Sequence, residues 1–136
     1  MDATVSPALE VGRKLVEFCS QGQYREALME LYADDARHIE SVAMGPDIPR
    51  ENGPKSKLLE MNDWWEANHE VHGGELQGPY NHGDDRFAVR MTIDVTPKVG
   101  PMEGKRHMME EVCVYTVANG KITLVEFFYD TSSMGG

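Results

Sequence analysis

Between Arg86 and Pro97 apolar and polar residues alternate without a break: Phe87, Val89, Met91, Ile93 and Val95 are separated by Ala88, Arg90, Thr92 and Asp94. Successive side chains of an extended chain point to opposite faces, so this run specifies a strand with one face in a core and the other toward water. A strand of that kind must have partners for its backbone groups, and the sequence that follows supplies them. Met108 to Val117 reads as a second strand and Lys121 to Tyr129 as a third, with Pro97 to Gly104 as the first connection. The second connection is Asn119-Gly120; both residues tolerate positive φ, which a tight two-residue hairpin requires.

The first half of the chain has the other period. From Ala8 to Gln21, Val11, Leu15, Phe18 and Cys19 recur at helical spacing, Ser6 is placed to cap the start, Pro7 suits the first turn and Gly22 suits the exit. A shorter helix is expected from Tyr24 to Tyr32, ending at the acidic turn Asp34-Asp35, and a third from Ser56 to His69 with Leu58, Met61 and Trp65 on its buried stripe. Arg37 to Val42 reads as a short strand with His38 and Glu40 on one face, and the breaker-rich stretch Ala43 to Lys55 as a loop. Strand character resumes after Gly73-Gly74. Helices first and an antiparallel meander second specify an α+β fold, and 136 residues fit a single domain over 1–136 with an ordered core of 7–130.

Charge and composition narrow the partners. Thirteen Lys and Arg against 23 Asp and Glu give −10 at pH 7, a field that repels phosphate backbones and anionic lipid, so nucleic acid and membrane surfaces are not expected partners. Two cysteines, Cys19 and Cys113, make no disulfide framework, and no apolar run reaches membrane-spanning length. These features point to the cytoplasm. His69 and His72 flank Glu70 one residue too closely for the zinc-protease helix pattern, and His82 and His107 are scattered, so no metal site is expected.

Helix, Gly22, short helix, then Leu31-Tyr32-Ala33-Asp34-Asp35-Ala36 before a strand, with a closing strand, Asn-Gly-Lys-Ile turn and strand, resembles the nuclear transport factor 2-like superfamily. Within it, Asn68-His69-Glu70-Val71-His72, Asp85-Arg86-Phe87-Ala88-Val89-Arg90 and Glu126-Phe127-Phe128-Tyr129 resemble the SnoaL-like branch. The resemblance implies a cone-shaped, cystatin-like fold: three N-terminal helices packed on a strongly curved, mostly antiparallel sheet around an apolar cavity. It also implies a homodimer formed through the sheet. The superfamily includes isomerases, polyketide cyclases, dehydratases and non-catalytic binding modules, so fold alone does not choose among them.

Site positions carry over from the related ketosteroid isomerases one at a time. Their general base, a carboxylate four residues beyond the second alanine of the Tyr/Phe-Ala-Asp-Asp-Ala motif, corresponds to Glu40 here. Their oxyanion-stabilising tyrosine corresponds to Leu15 and their neutral aspartic acid to Cys113, neither of which replaces a strong donor. Loss of one such donor typically costs about 3 to 4 kcal/mol in the transition state. Steroid isomerisation by that route is therefore not expected.

What remains is a cofactor-independent acid/base reading on a hydrophobic carbonyl compound, of isomerase, cyclase or dehydratase type. Glu40 is its base and His38 its second proton carrier. The alternative is a dimeric binding protein for a small apolar ligand, with Glu40 and His38 in a solvated ion pair with Arg37 or Arg90. Ligand-lining candidates are Leu15, Tyr32, Trp65, Asn68, Cys113 and Glu126, each with a plainer counterpart. Trp65 serves equally as core, Asn68 as a helix cap, and Tyr32 as a packed ring with its hydroxyl outside. Glu126, expected beside Ile122, Leu124 and Phe128, either projects into the cavity or pairs with Arg90. Nine methionines suit a roomy pocket or a dimer contact.

Overall fold

A computed structural model describes residues 6–43 and 46–130; residues 1–5, 44–45 and 131–136 lie outside the described residues. The elements are α1 (Pro7–Ser20), α2 (Tyr24–Leu31), β1 (Tyr32–Ile39), β2 (Glu51–Asn52), α3 (Lys55–Ala67), β3 (His69–Asn81), β4 (Arg86–Pro97), β5 (His107–Ala118) and β6 (Lys121–Phe128). They form one six-stranded sheet in the order β2-β1-β6-β5-β4-β3. Only the β1–β6 pair is parallel. The fold is the expected α+β cone, with the helices on one face of a curved, mostly antiparallel sheet.

Local chemistry sets the element ends. Ser6 Oγ accepts the Leu9 amide at 3.1 Å and caps α1. Gly22, at φ +74°, closes it, with its own amide donating to Cys19 O and that of Gln23 to Phe18 O. The hairpin between β5 and β6 turns on Asn119 (φ +53°) and Gly120 (φ +76°), as the dipeptide requires.

The core forms where α1 and α2 press on the sheet. Leu15, Leu28 and Leu31 from the helices meet Phe87, Val89, Tyr115, Ile122 and Val125 from the strands, and Phe87 stacks on Tyr115 with ring centroids 4.7 Å apart. Gly12 lets α1 lie close: a Cβ there would come within 2.7 Å of Pro79 Cβ and 2.9 Å of the Phe87 ring.

Three features differ from expectation. β1 begins at Tyr32 rather than Arg37, because Asp34-Asp35 is not a turn but an irregular stretch of the β1–β6 pairing. β3 starts at His69 and runs through Gly73-Gly74 with two bulges, so the third helix ends at Ala67 and strand character begins before the glycine pair. In β6 the register jumps from Val117↔Ile122 to Thr116↔Leu124, so Thr123 is an extra residue. That bulge reverses the alternation and puts Ile122 in the core with Val125 and Phe127, opposite Leu124, Glu126 and Phe128.

Candidate functional site

The helices stop short of sealing the concave face, leaving a hollow of about 160 Å³. Leu15 and Cys19 of α1, Leu28 of α2, Leu76 of β3, Met91 of β4 and Phe127 of β6 give it apolar walls. Tyr24, Tyr32, His38, Asn62 and Tyr115 bring the polar groups. β1 presents His38 inward. Its Nε2 lies 3.3 Å from the Tyr32 hydroxyl, and its ring meets those of Tyr32 and Phe127 edge-on at 5.6 and 4.9 Å. Burial lowers the His38 pKa to about 4, so the imidazole is neutral at pH 7, able to donate through one ring nitrogen and accept through the other.

Glu40 shares the His38 face but sits one step past the end of β1, where β1 leaves the sheet. The backbone of Arg50 accepts its amide at 2.8 Å, and Arg50 Nε donates to its carbonyl at 3.0 Å. Its carboxyl accepts the Tyr129 hydroxyl at 3.0 Å. Burial raises the Glu40 pKa, and the Tyr129 hydrogen bond partly offsets the rise by favouring the anion. Glu40 lines a second hollow of about 170 Å³ with Ile39, Ser41, Arg50, Glu126 and Phe128. Phe127 lines both hollows and separates His38 in one from Glu40 in the other.

A third acid completes the arrangement. Glu111 lies on the β5 face of Cys113 and Tyr115, and Cys113 pairs with Phe127 across the β5–β6 ladder. Burial, with the Glu40 charge as the lesser cause, raises the Glu111 pKa to about 7. Near neutral pH Glu111 therefore retains a proton that a solvated carboxyl would have lost. Burial and the nearby Glu111 and Glu40 charges push the Cys113 thiol well up, which keeps it protonated and inert.

The structure brings together Leu15, Tyr32 and His38 around the apolar-walled hollow and places Cys113 fully buried, lining neither hollow. Glu126 opens with Glu40 onto the second hollow. Arg90 pairs with Glu110 at 2.6 Å and Arg37 with Glu51 at 3.0 Å, so neither is the partner of Glu40 or Glu126. Trp65 and Asn68 stand apart. Trp65 stacks on His69 at 4.3 Å and lines neither hollow, and Asn68 Nδ2 donates to Trp64 O at 2.8 Å as a helix cap. Among the described residues no group of three or more His, Cys, Asp or Glu is arranged to hold a metal ion.

Sequence reasoning passed over two residues. Glu111 interrupts the inward face that runs Glu111, Cys113, Tyr115, Val117, the same signal that singled out Glu126. Asn62 follows Leu58 by four residues and so falls on the buried stripe of α3, where a polar side chain is out of place.

Comparison with known proteins agrees with this fold. A family model described as a SnoaL-like domain matches residues 7–129. The crystal structure of a candidate SnoaL-like polyketide cyclase from Mesorhizobium loti is 42% identical, covers 88% of this chain and 97% of its own, and superposes with a TM-score of 0.79. TerC co-crystallised with polyporic acid shares the fold at 19% identity, with a TM-score of 0.70 over 96% of both chains. A ketosteroid isomerase-like protein from Catenulispora acidiphila in complex with trimethylamine does so at 18% identity, with a TM-score of 0.67 over 93% of this chain and 89% of its own. No curated protein matches the sequence. This chain belongs to the SnoaL-like domain family.

Proposed function

We propose that the protein is a cofactor-independent acid/base enzyme that moves a proton next to the carbonyl of a small hydrophobic compound. The observation that carries this reading is half-buried Glu40, hydrogen-bonded to the Tyr129 hydroxyl, with Glu111 near enough to feel its charge and Phe127 alone between Glu40's hollow and the apolar one. Glu40, freed of its proton and held by Tyr129, is the base. Glu111, protonated near neutrality, is the acid that returns the proton, and neutral His38 positions the substrate oxygen or relays the proton. The hollow sets the size: an apolar cavity of ~150 Å³ accepts benzene, so the substrate presents about one ring to it.

Cyclohexanone in D₂O is the simplest test. The protein is expected to speed exchange of the hydrogens next to its carbonyl well beyond buffer, read by proton NMR. Exchange no faster than in buffer, with binding intact, would instead favour the second reading, a binding protein for a small apolar ligand. Leu15 and Cys113 support that alternative, since neither supplies the strong oxyanion donor of the isomerases.

We also infer a homodimer through the convex sheet face and a cytoplasmic location, the latter supported by the free thiols Cys19 and Cys113. Met108, Val112 and Phe128 are exposed there, and Val112 sits directly across from Phe128. Lysines at Met108 and Val112 should convert a particle of two chains into one in light scattering, with little loss of thermal stability. An unchanged mass would place the contact elsewhere.

A further inference from the structure

The amide nitrogen of Asn62 is left unpaired inside the protein. Its Nδ2 is buried and lacks a hydrogen-bond partner, although the side chain lines the apolar-walled hollow. A buried donor without a partner is unfavourable in a folded protein, so each one that persists calls for an explanation. Leu28, Leu76 and Met91 of the neighbouring walls are apolar, the His38 ring is engaged with the Tyr32 hydroxyl, and the Tyr24 and Tyr115 hydroxyls do not hydrogen-bond Asn62 Nδ2.

We propose that Asn62 Nδ2 is the ligand-anchoring donor of the hollow, selecting one-ring compounds that carry a carbonyl oxygen over hydrocarbons of the same shape. This rests on reading the hollow as the ligand pocket and goes further, since it names the recognising group and the chemical feature recognised. Leu15 and Cys113 stand where the isomerases have their oxyanion donors, and Asn62 adds an unpaired donor from α3 to the tyrosine hydroxyls of the hollow. Because one amide hydrogen bond is weaker than a tyrosine and a neutral acid together, its main consequence is selection of the ligand and its orientation.

The test compares cyclohexanone with methylenecyclohexane, which replaces the carbonyl oxygen by a methylene of similar shape, by NMR titration of the wild type and of Asn62→Leu. Leucine is close to asparagine in shape and has no donor. The wild-type preference for the ketone, as the ratio of the two dissociation constants, should fall about tenfold in the variant while the hydrocarbon still binds. Without ligand, Asn62→Leu should melt no lower than the wild type, and higher by about 3 °C if the orphaned donor is the main burden removed. An unchanged ratio overturns the proposal, as does a clear loss of ligand-free stability, which would mean that the amide holds the fold. Failure of both probes to bind either protein overturns it together with the pocket reading. A tenfold change without any hydrogen exchange on the ketone would support the anchor and count against the enzyme.

Discussion

Glu40→Gln is expected to slow the protein-dependent exchange on cyclohexanone by about 10²–10⁴-fold, the usual contribution of a positioned general base. Glutamine keeps an oxygen for the Tyr129 hydroxyl, which sits 3.0 Å from the carboxyl, and the Arg50 bonds to the Glu40 backbone do not depend on the side chain. The variant therefore folds and binds as before but lacks an acceptor basic enough to take a carbon-bound proton. Glutamine also relieves the cost of an anion at a half-buried position, so its stability at neutral pH should equal or exceed that of the wild type. A rate within about threefold of the wild type would remove Glu40 from the chemistry.

His38→Gln and Glu111→Gln are expected to change the pH dependence of folding in opposite directions. His38 has an ordinary pKa of 6.5 when unfolded and about 4 when folded, so its native site is unpenalised above pH 6.5 and loses stability as pH falls toward 4. Glu111 goes from 4.5 to about 7, so its native site is unpenalised below pH 4.5 and loses stability as pH rises through 7. Each span is worth about 3 kcal/mol at ~1.4 kcal/mol per tenfold change in proton affinity. Relative to the wild type, Glu111→Gln should therefore gain stability as pH rises from 4.5 to above 7. His38→Gln should gain it as pH falls from 6.5 to 4. In the wild type the two trends largely cancel between 4.5 and 6.5. Urea unfolding of the three proteins across this range checks the signs, and differences that do not vary with pH would show that neither group is desolvated.

The fold was legible where one local signal met no competitor. Alternation from Phe87 to Val95, the Asn119-Gly120 turn and the Ser6 and Gly22 caps each fix a local geometry by themselves, and each stands as read. The errors lie where long-range pairing overrides local preference. Asp34-Asp35 has turn chemistry, yet the parallel partner β6 holds that stretch in a strand. Gly73-Gly74 looks like a break, yet β4 carries β3 straight through it. Thr123 has nothing in its local sequence to announce a bulge, so the face of Glu126 was read correctly against Leu124 and Phe128 but wrongly against Ile122.

The site divides the same way. His38, Leu15 and Tyr32 could be placed on the concave face because helix and strand periods orient them. The proximity of Glu111 to Glu40 depends on how far β5 runs beyond its pairing with β6, where Val112↔Phe128 is the last rung, and no spacing in the sequence encodes that. Asn62 was visible as a polar residue on an apolar stripe. Only packing shows that its amide is left without a partner.

A carbon-13 NMR titration of the Glu side-chain carboxyls, assigned by comparing the wild type with Glu40→Gln and Glu111→Gln, tests the central claim most directly. The account predicts a Glu111 midpoint near 7, a Glu40 midpoint above the usual carboxylate range, and a fall in the Glu111 midpoint when Glu40 is neutralised. Both carboxyls titrating near 4.5, each indifferent to the other, would contradict it.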